Sequence, residues 1–230
     1  MIKRITIVAA LLLALGACAF ADSITLTGVG GNNAAGVYVY PYYLTVNSTS
    51  GSTSYSVACD SYFNTVSVPE TWTGTANTWA TLSQTMFGSN TSFDAVKAYT
   101  EAAYLFAKYA TNPSTAAAAN FAVWSLFVGG YTSTPSSSEL AALQSGITST
   151  GANALLADAN SWYASASASQ KAMYQQSLLI FTPDAKWGAM GSTAGPQEYI
   201  TMVPEPGSLL LFGMGLVAGF GALKRRAGFC

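Results

Sequence analysis

The chain has 230 residues, of which 50% are hydrophobic and only 8% charged, with a formal net charge of −1. Such a balance does not suit nucleic acid or an anionic membrane surface, both of which need a cationic face. Histidine is absent, which excludes Ser-His-Asp and Cys-His catalysis and histidine metal sites.

At the start, Lys3 and Arg4 precede an apolar run from Ile5 to Leu15. The run is too short to span a bilayer and has the form of a secretory signal peptide, residues 1–21. Ala19 and Ala21 supply an Ala-x-Ala cleavage site for signal peptidase, leaving Asp22 as the new terminus. Leu15-Gly16-Ala17-Cys18 offers a lipobox as the alternative, with Cys18 lipidated. Either route takes the body across the inner membrane.

The body, residues 22–202, holds nine acids and four lysines, a net charge of −5. That is enough chain for one domain with its own core. Its first third reads as β. Asp22–Thr27 alternates, with Ile24 and Leu26 on one face. Gly28–Gly36 is turn-rich. The β-forming run Val37–Val46 is interrupted by Pro41, which predicts an edge strand or a split. Asn47–Thr53 is a polar connection, and Tyr55–Cys59 returns as a strand. Thr65–Val68 and Glu70–Thr75 read as two more.

Helical spacing begins near Thr91. Ser92 is positioned as a cap, with Asp94 in the first turn and an apolar series from Phe93 to Ala107. That helix ends near Tyr109, before Asn112-Pro113. Thr115–Phe127 is apolar almost all round, as expected of a buried central helix, and Gly129-Gly130 ends it. Ser136–Leu143 and Ala152–Tyr163 are further helices, the second with Leu155, Leu156 and Ala159 inward. Ser177–Phe181 is a buried strand closed by Pro183. Gly188–Pro196 is loop, and Gln197–Met202 a last strand. The fold class is α+β: a small N-terminal antiparallel sheet or barrel, then a helical subregion and late strands.

The body's chemistry is sparse. With Cys18 and Cys230 in the terminal segments, Cys59 stands alone, so no internal disulfide is expected and burial is its default. Cys59 on a strand, with Asn120-Phe121-Ala122-Val123-Trp124 on the central helix, resembles the thioester domains of bacterial surface adhesins. There a strand cysteine attacks the glutamine amide of a Gln-x-Ala-Ile-Trp helix and expels ammonia. Ala122, Val123 and Trp124 follow that pattern, and Asn120 stands where the glutamine belongs. The resemblance implies a Cys59–Asn120 pair, and the shorter asparagine argues against an intact thioester. Asp60 with Glu70, or Asp94 with Glu101, could serve a glycosidase, or be solvated surface acids. Tyr38, Tyr40, Tyr42, Tyr43, Trp72 and Trp79 could form a sugar-binding face, or be half core and half surface. No cofactor or metal is expected.

The last stretch, residues 203–230, reads Val203-Pro204-Glu205-Pro206, an uncharged run from Gly207 to Leu223, then Lys224-Arg225-Arg226. About 17 residues give roughly 25 Å of helix, the short end of a membrane span. The three cations act as a basic stop on the cytoplasmic side. The prolines keep the approach extended and open to a protease. This order of parts resembles the PEP-CTERM sorting signal, also labelled the ice-binding protein C-terminal domain. The resemblance implies a membrane protease partner, the exosortase, and a precursor anchored by its tail before release to the cell surface or outside. The expected function is that of an exported, non-catalytic surface or extracellular-matrix protein, active in biofilm or adhesion, with extracellular polysaccharide as a possible partner. The alternatives are a thioester-type adhesin and a glycan hydrolase.

Overall fold

The computed structural model describes residues 22–31, 33–184 and 195–203. Six strands close into an antiparallel barrel in the order β1 (Asp22–Val29), β4 (Tyr42–Ser48), β5 (Gly51–Cys59), β8 (Tyr199–Met202), β7 (Leu178–Pro183) and β6 (Glu70–Thr78), which pairs back to β1. The two remaining strands, β2 (Asn33–Ala34) and β3 (Val37–Tyr38), form a small separate hairpin. The α+β expectation therefore holds, and the sheet is a barrel whose last two staves come from the end of the domain.

The alternating strands fold as the sequence dictates. Ile24 and Leu26 of β1, and Tyr42, Leu44 and Val46 of β4, point into the barrel, while Thr27, Tyr43 and Asn47 point out. Pro41 does split its run, into β3 and β4. However, β4 is paired on both sides, with β1 and β5, and is not an edge. The β4–β5 connection is tighter than expected, because Ser48 pairs with Gly51. Thr65–Val68 is not a strand, and it lies outside the barrel ladder. At Gly74 the barrel is too close for a side chain, since a Cβ there would sit 2.6 Å from the Thr182 carbonyl oxygen on β7.

Five α-helices pack together beside the barrel, α1 (Ala95–Leu105), α2 (Ala116–Phe127), α3 (Ser137–Thr150), α4 (Ala152–Ser165) and α5 (Ala168–Ser177), with α1 against β8 and α2 against β5. Asp94, not Ser92, caps α1, its Oδ1 accepting from the Lys97 N–H at 3.0 Å. A wider turn, Phe106–Ala110, continues α1 to the expected end. α2 is the buried centre, with Phe121, Ala122 and Trp124 enclosed, and it packs against α1, α3, α4 and β5. Gly146 lets α3 approach it, because a Cβ there would lie 1.9 Å from the Phe121 ring.

The helix expected at Ser136–Leu143 runs on to Thr150, where Gly151 stops it at φ +77°. Ser136 and Glu139 form its capping box. On α4, Ala159 is fully buried, while Leu155 and Leu156 are half-buried. α5 has no counterpart in the sequence reading. The last strand is shorter than expected, 199–202 rather than 197–202.

Candidate functional site

Barrel and helices meet at the end of β5, and there the structure brings Cys59 and Asn120 together. The Asn120 side chain is buried, and its Nδ2 donates to the Cys59 carbonyl oxygen at 2.9 Å. The Tyr40 N–H donates to Asn120 Oδ1 at 2.8 Å. One amide thus ties α2 to two segments of the β half. It engages the main chain of Cys59, not the sulfur.

Cys59 is a free, fully buried thiol. Its Sγ lies 3.9 Å from Ser61 Oγ. Burial, reinforced by the neighbouring Asp60 carboxyl, pushes its pKa up to about 12, against opposing contributions from the Trp124 indole and Ser61. That indole N–H meets no oxygen or nitrogen acceptor, which leaves the sulfur as its polar neighbour. The thiol is neutral at ordinary pH, and a neutral buried thiol is a poor nucleophile.

The next residue, Asp60, is neither the solvated surface acid nor the partner of Glu70 that its sequence position suggests. Asp60 is completely buried, and Glu70 instead accepts the Ser67 N–H at 2.7 Å. The carboxyl that faces Asp60 belongs to Glu198, also fully buried, just before β8. Main-chain bonds lock the two segments: Asp60 N–H donates to the Glu198 carbonyl at 3.3 Å, and Glu198 N–H donates to Ser61 Oγ at 2.7 Å.

Glu198 is well supplied with donors. Its Oε2 accepts from Met86 N–H at 2.7 Å and Thr182 Oγ1 at 2.5 Å, and its Oε1 accepts from the Tyr99 hydroxyl. Asn77 Nδ2 in turn donates to Thr182 Oγ1 at 3.0 Å. Asp60 receives no N–H or O–H on either oxygen. Two ionised carboxyls enclosed side by side repel each other, which disfavours full ionisation of the pair. Both acids are pushed upward. For Asp60 the causes are burial first and then the Glu198 charge; for Glu198 burial dominates, opposed by its donors Thr182, Tyr99 and Met86. Glu198, with three donors, is the member better suited to the charge, and Asp60, with none, the member better suited to the proton.

The other candidate groups disperse. Asp94 caps α1, and Glu101 is buried with Lys97 Nζ at 3.8 Å. Trp72 lies inside the barrel, stacked on Tyr199 with ring centres 6.0 Å apart. Tyr42 is also internal, Tyr40 packs edge-on to Phe106, and Trp79 is half-buried after β6. Only Tyr38 and Tyr43 of the six aromatics are exposed, so they do not make one face. Among the described residues no group of three or more Cys, Asp or Glu is placed to hold a metal ion.

The C-terminal motif begins where the barrel ends. Val203 follows β8 directly, and its N–H donates to the Ser177 carbonyl at 2.8 Å. Pro204, Glu205, Pro206, the expected helix 207–223 and Lys224, Arg225 and Arg226 lie outside the described residues, as do Ala19 and Ala21. Among the described residues, no helix is long and apolar enough to cross a membrane. Residues 203–226 match the family model of the PEP-CTERM protein-sorting motif. The chain carries a PEP-CTERM signal. Such signals are recognised by exosortase, a membrane protease-like enzyme, and mark an exported protein with a membrane-anchored precursor. No curated protein and no solved structure matches the chain, and the resemblance of the body to thioester domains is not confirmed.

Proposed function

We propose that this is a non-catalytic cell-surface or extracellular-matrix protein, released or transferred at Val203–Pro206, whose partner outside is an extracellular polysaccharide. The observation that carries the reading is the PEP-CTERM signal starting at the residue after the barrel's closing strand. The barrel's last strand ends at Met202, so a cut in the motif leaves every barrel strand intact. The burial of the acids supports the non-catalytic part: Asp60 and Glu198 are both fully enclosed, away from any substrate in solvent. The intact mass of the native protein from membrane and extracellular fractions tests the sorting step. Expected is an extracellular species starting near Asp22 and ending within Val203–Pro206. Retention of residues 207–230 in every fraction overturns it. Unchanged matrix and adhesion on gene deletion would sink the surface role.

A thioester adhesin keeps one observation in its favour, the contact of Asn120 with the Cys59 residue. The same spectrum tests it, because thioester closure removes the mass of one ammonia, whereas full titration of Cys59 as a thiol in the unfolded chain rejects it.

A further inference from the structure

A cleft of about 370 Å³ opens beside the barrel, between the β2–β3 hairpin, the irregular segment 62–68 and the start of α3. That volume lies within the range of roughly 300–1,000 Å³ usual for small-ligand sites. Its aromatic lining includes Tyr38, Tyr62 and Trp124, and its polar lining includes Asn64, Gln197 and Glu139. The Tyr62 ring is held at 4.9 Å from Trp124 and 5.2 Å edge-on to Phe63, so its position is fixed by packing. Tyr38 stands exposed on the hairpin, 52% accessible.

Several polar atoms here are not spent on the fold. The Tyr62 hydroxyl makes no hydrogen bond among the described residues, and the Glu139 charge raises its pKa alongside partial burial, which places the carboxylate near the phenol. Glu139 caps its helix through Oε2, which leaves Oε1 uncommitted. Gln197 uses Nε2 on the Asn64 carbonyl and Oε1 on the Tyr199 hydroxyl, which fixes the amide in place with one N–H to spare.

Elimination decides the ligand class. Among the described residues no cationic side chain lines the cleft, so an anion finds no counter-charge there. A purely aliphatic ligand would desolvate Tyr62, Glu139 and Gln197 without pairing them. An organic cation would find a single carboxylate, at the solvent-facing rim, where a charge contact is weak. A neutral sugar ring matches both halves, with apolar C–H faces for the aromatic rings and hydroxyls for the dispersed donors and acceptors.

The geometry points to this cleft as a binding site for a neutral oligosaccharide, with Tyr38 and Tyr62 as ring contacts and Glu139 and Gln197 reading hydroxyls. It rests on the proposed surface role, since it gives that role's polysaccharide a place to bind.

The test uses the full chain, purified in a detergent without a sugar head group. Cello-, malto- and β-1,3-gluco-oligosaccharides are titrated by calorimetry and saturation-transfer NMR. Expected is binding of one series, weakened about tenfold by Tyr38→Ala and again by Tyr62→Ala, the scale of one lost ring contact. Glu139→Gln keeps the helix cap and should weaken binding by a smaller factor. No binding to any series, or binding indifferent to both tyrosine variants, overturns the proposal. So does tetramethylammonium binding that Glu139→Gln abolishes while sugars fail. A chain correctly cut at its tail but unable to bind sugar removes the cleft and leaves the sorting reading standing; sugar binding by a chain that is never cut does the reverse.

Discussion

Asn120 and Glu198 both carry polar groups into the seam between barrel and helices, the first neutral and the second charged. Asn120 is answered by main chain on both atoms, a carbonyl for its Nδ2 and an N–H for its Oδ1. Its bonds need no particular protonation state. Glu198 is answered by three donors and faces a second acid, Asp60, whose pKa is pushed up by burial and then by the Glu198 charge. The difference is that the amide ties elements together at any pH, whereas the contribution of the acid pair changes with its protonation.

Removing Glu198 should have the largest effect. Glu198→Ala leaves the Met86 N–H, Thr182 and Tyr99 facing a cavity and strips Asp60 of its partner. Breaking a buried pair from one side costs about 3–5 kcal/mol, to be read by urea unfolding. Asn120→Ala should cost less, about 2–3 kcal/mol, because two neutral main-chain groups are orphaned and no charge is. If Asn120→Ala proved the worse of the two, the contrast between amide and acid pair would fail.

The pH dependence sharpens the contrast. Asp60 and Glu198 have folded pKa values above their unfolded ones, so above about pH 4 the folded chain binds more protons than the unfolded chain. Their contribution is fully present below the unfolded carboxyl value and is lost as pH rises through the folded one. Stability should therefore fall with rising pH from the acid side. Asp60→Asn, which keeps a donor facing Glu198, should flatten that part of the curve in unfolding experiments run across pH. Cys59 adds a second decline of the same sign, from the ordinary thiol value of 9.0 up to about 12. Its thiol should label with a disulfide reagent only at the rate of unfolding.

The smallest effect belongs to a solvated cluster. Asp158 Oδ2 accepts from Lys108 Nζ at 2.9 Å and from the Tyr104 and Tyr109 hydroxyls at 2.7 Å each, with the lysine side chain 44% exposed. Asp158→Asn should cost under about 1 kcal/mol. A larger loss would mean that exposure is not what separates this acid from Glu198.

What could be read from the sequence follows from local pattern. The alternation in β1 and β4 and the apolar series of α1 and α2 name their own burial, so those elements and the buried centre around Phe121 and Trp124 were legible. α5 was not, because Ala168–Ser177 has no buried face to impose a period. Thr65–Val68 has the composition of a strand but no partner in the ladder, and composition reports how well residues suit a sheet, not whether one is adjacent. Cys59 and Asn120 could be paired through a motif. Asp60 and Glu198 could not, since no spacing rule links an acid after the third barrel strand to one before the sixth. The cleft was missed for the same reason, because the hairpin, the 62–68 segment and α3 meet only after folding.

The order of strands around the barrel sets when it can close. β1, β4, β5 and β6 all lie within the first 78 residues, yet the wall stays open between β5 and β6 until β7 and β8 arrive. β8 is also the stretch immediately before the sorting motif. The strand that closes the fold is thus the last in the chain, and two sheet edges stay unpaired until β7 and β8 are in place. Long-range closure of this kind is slow, and unpaired edges invite association. The completion of the barrel and the start of the sorting motif therefore fall on one short stretch of chain.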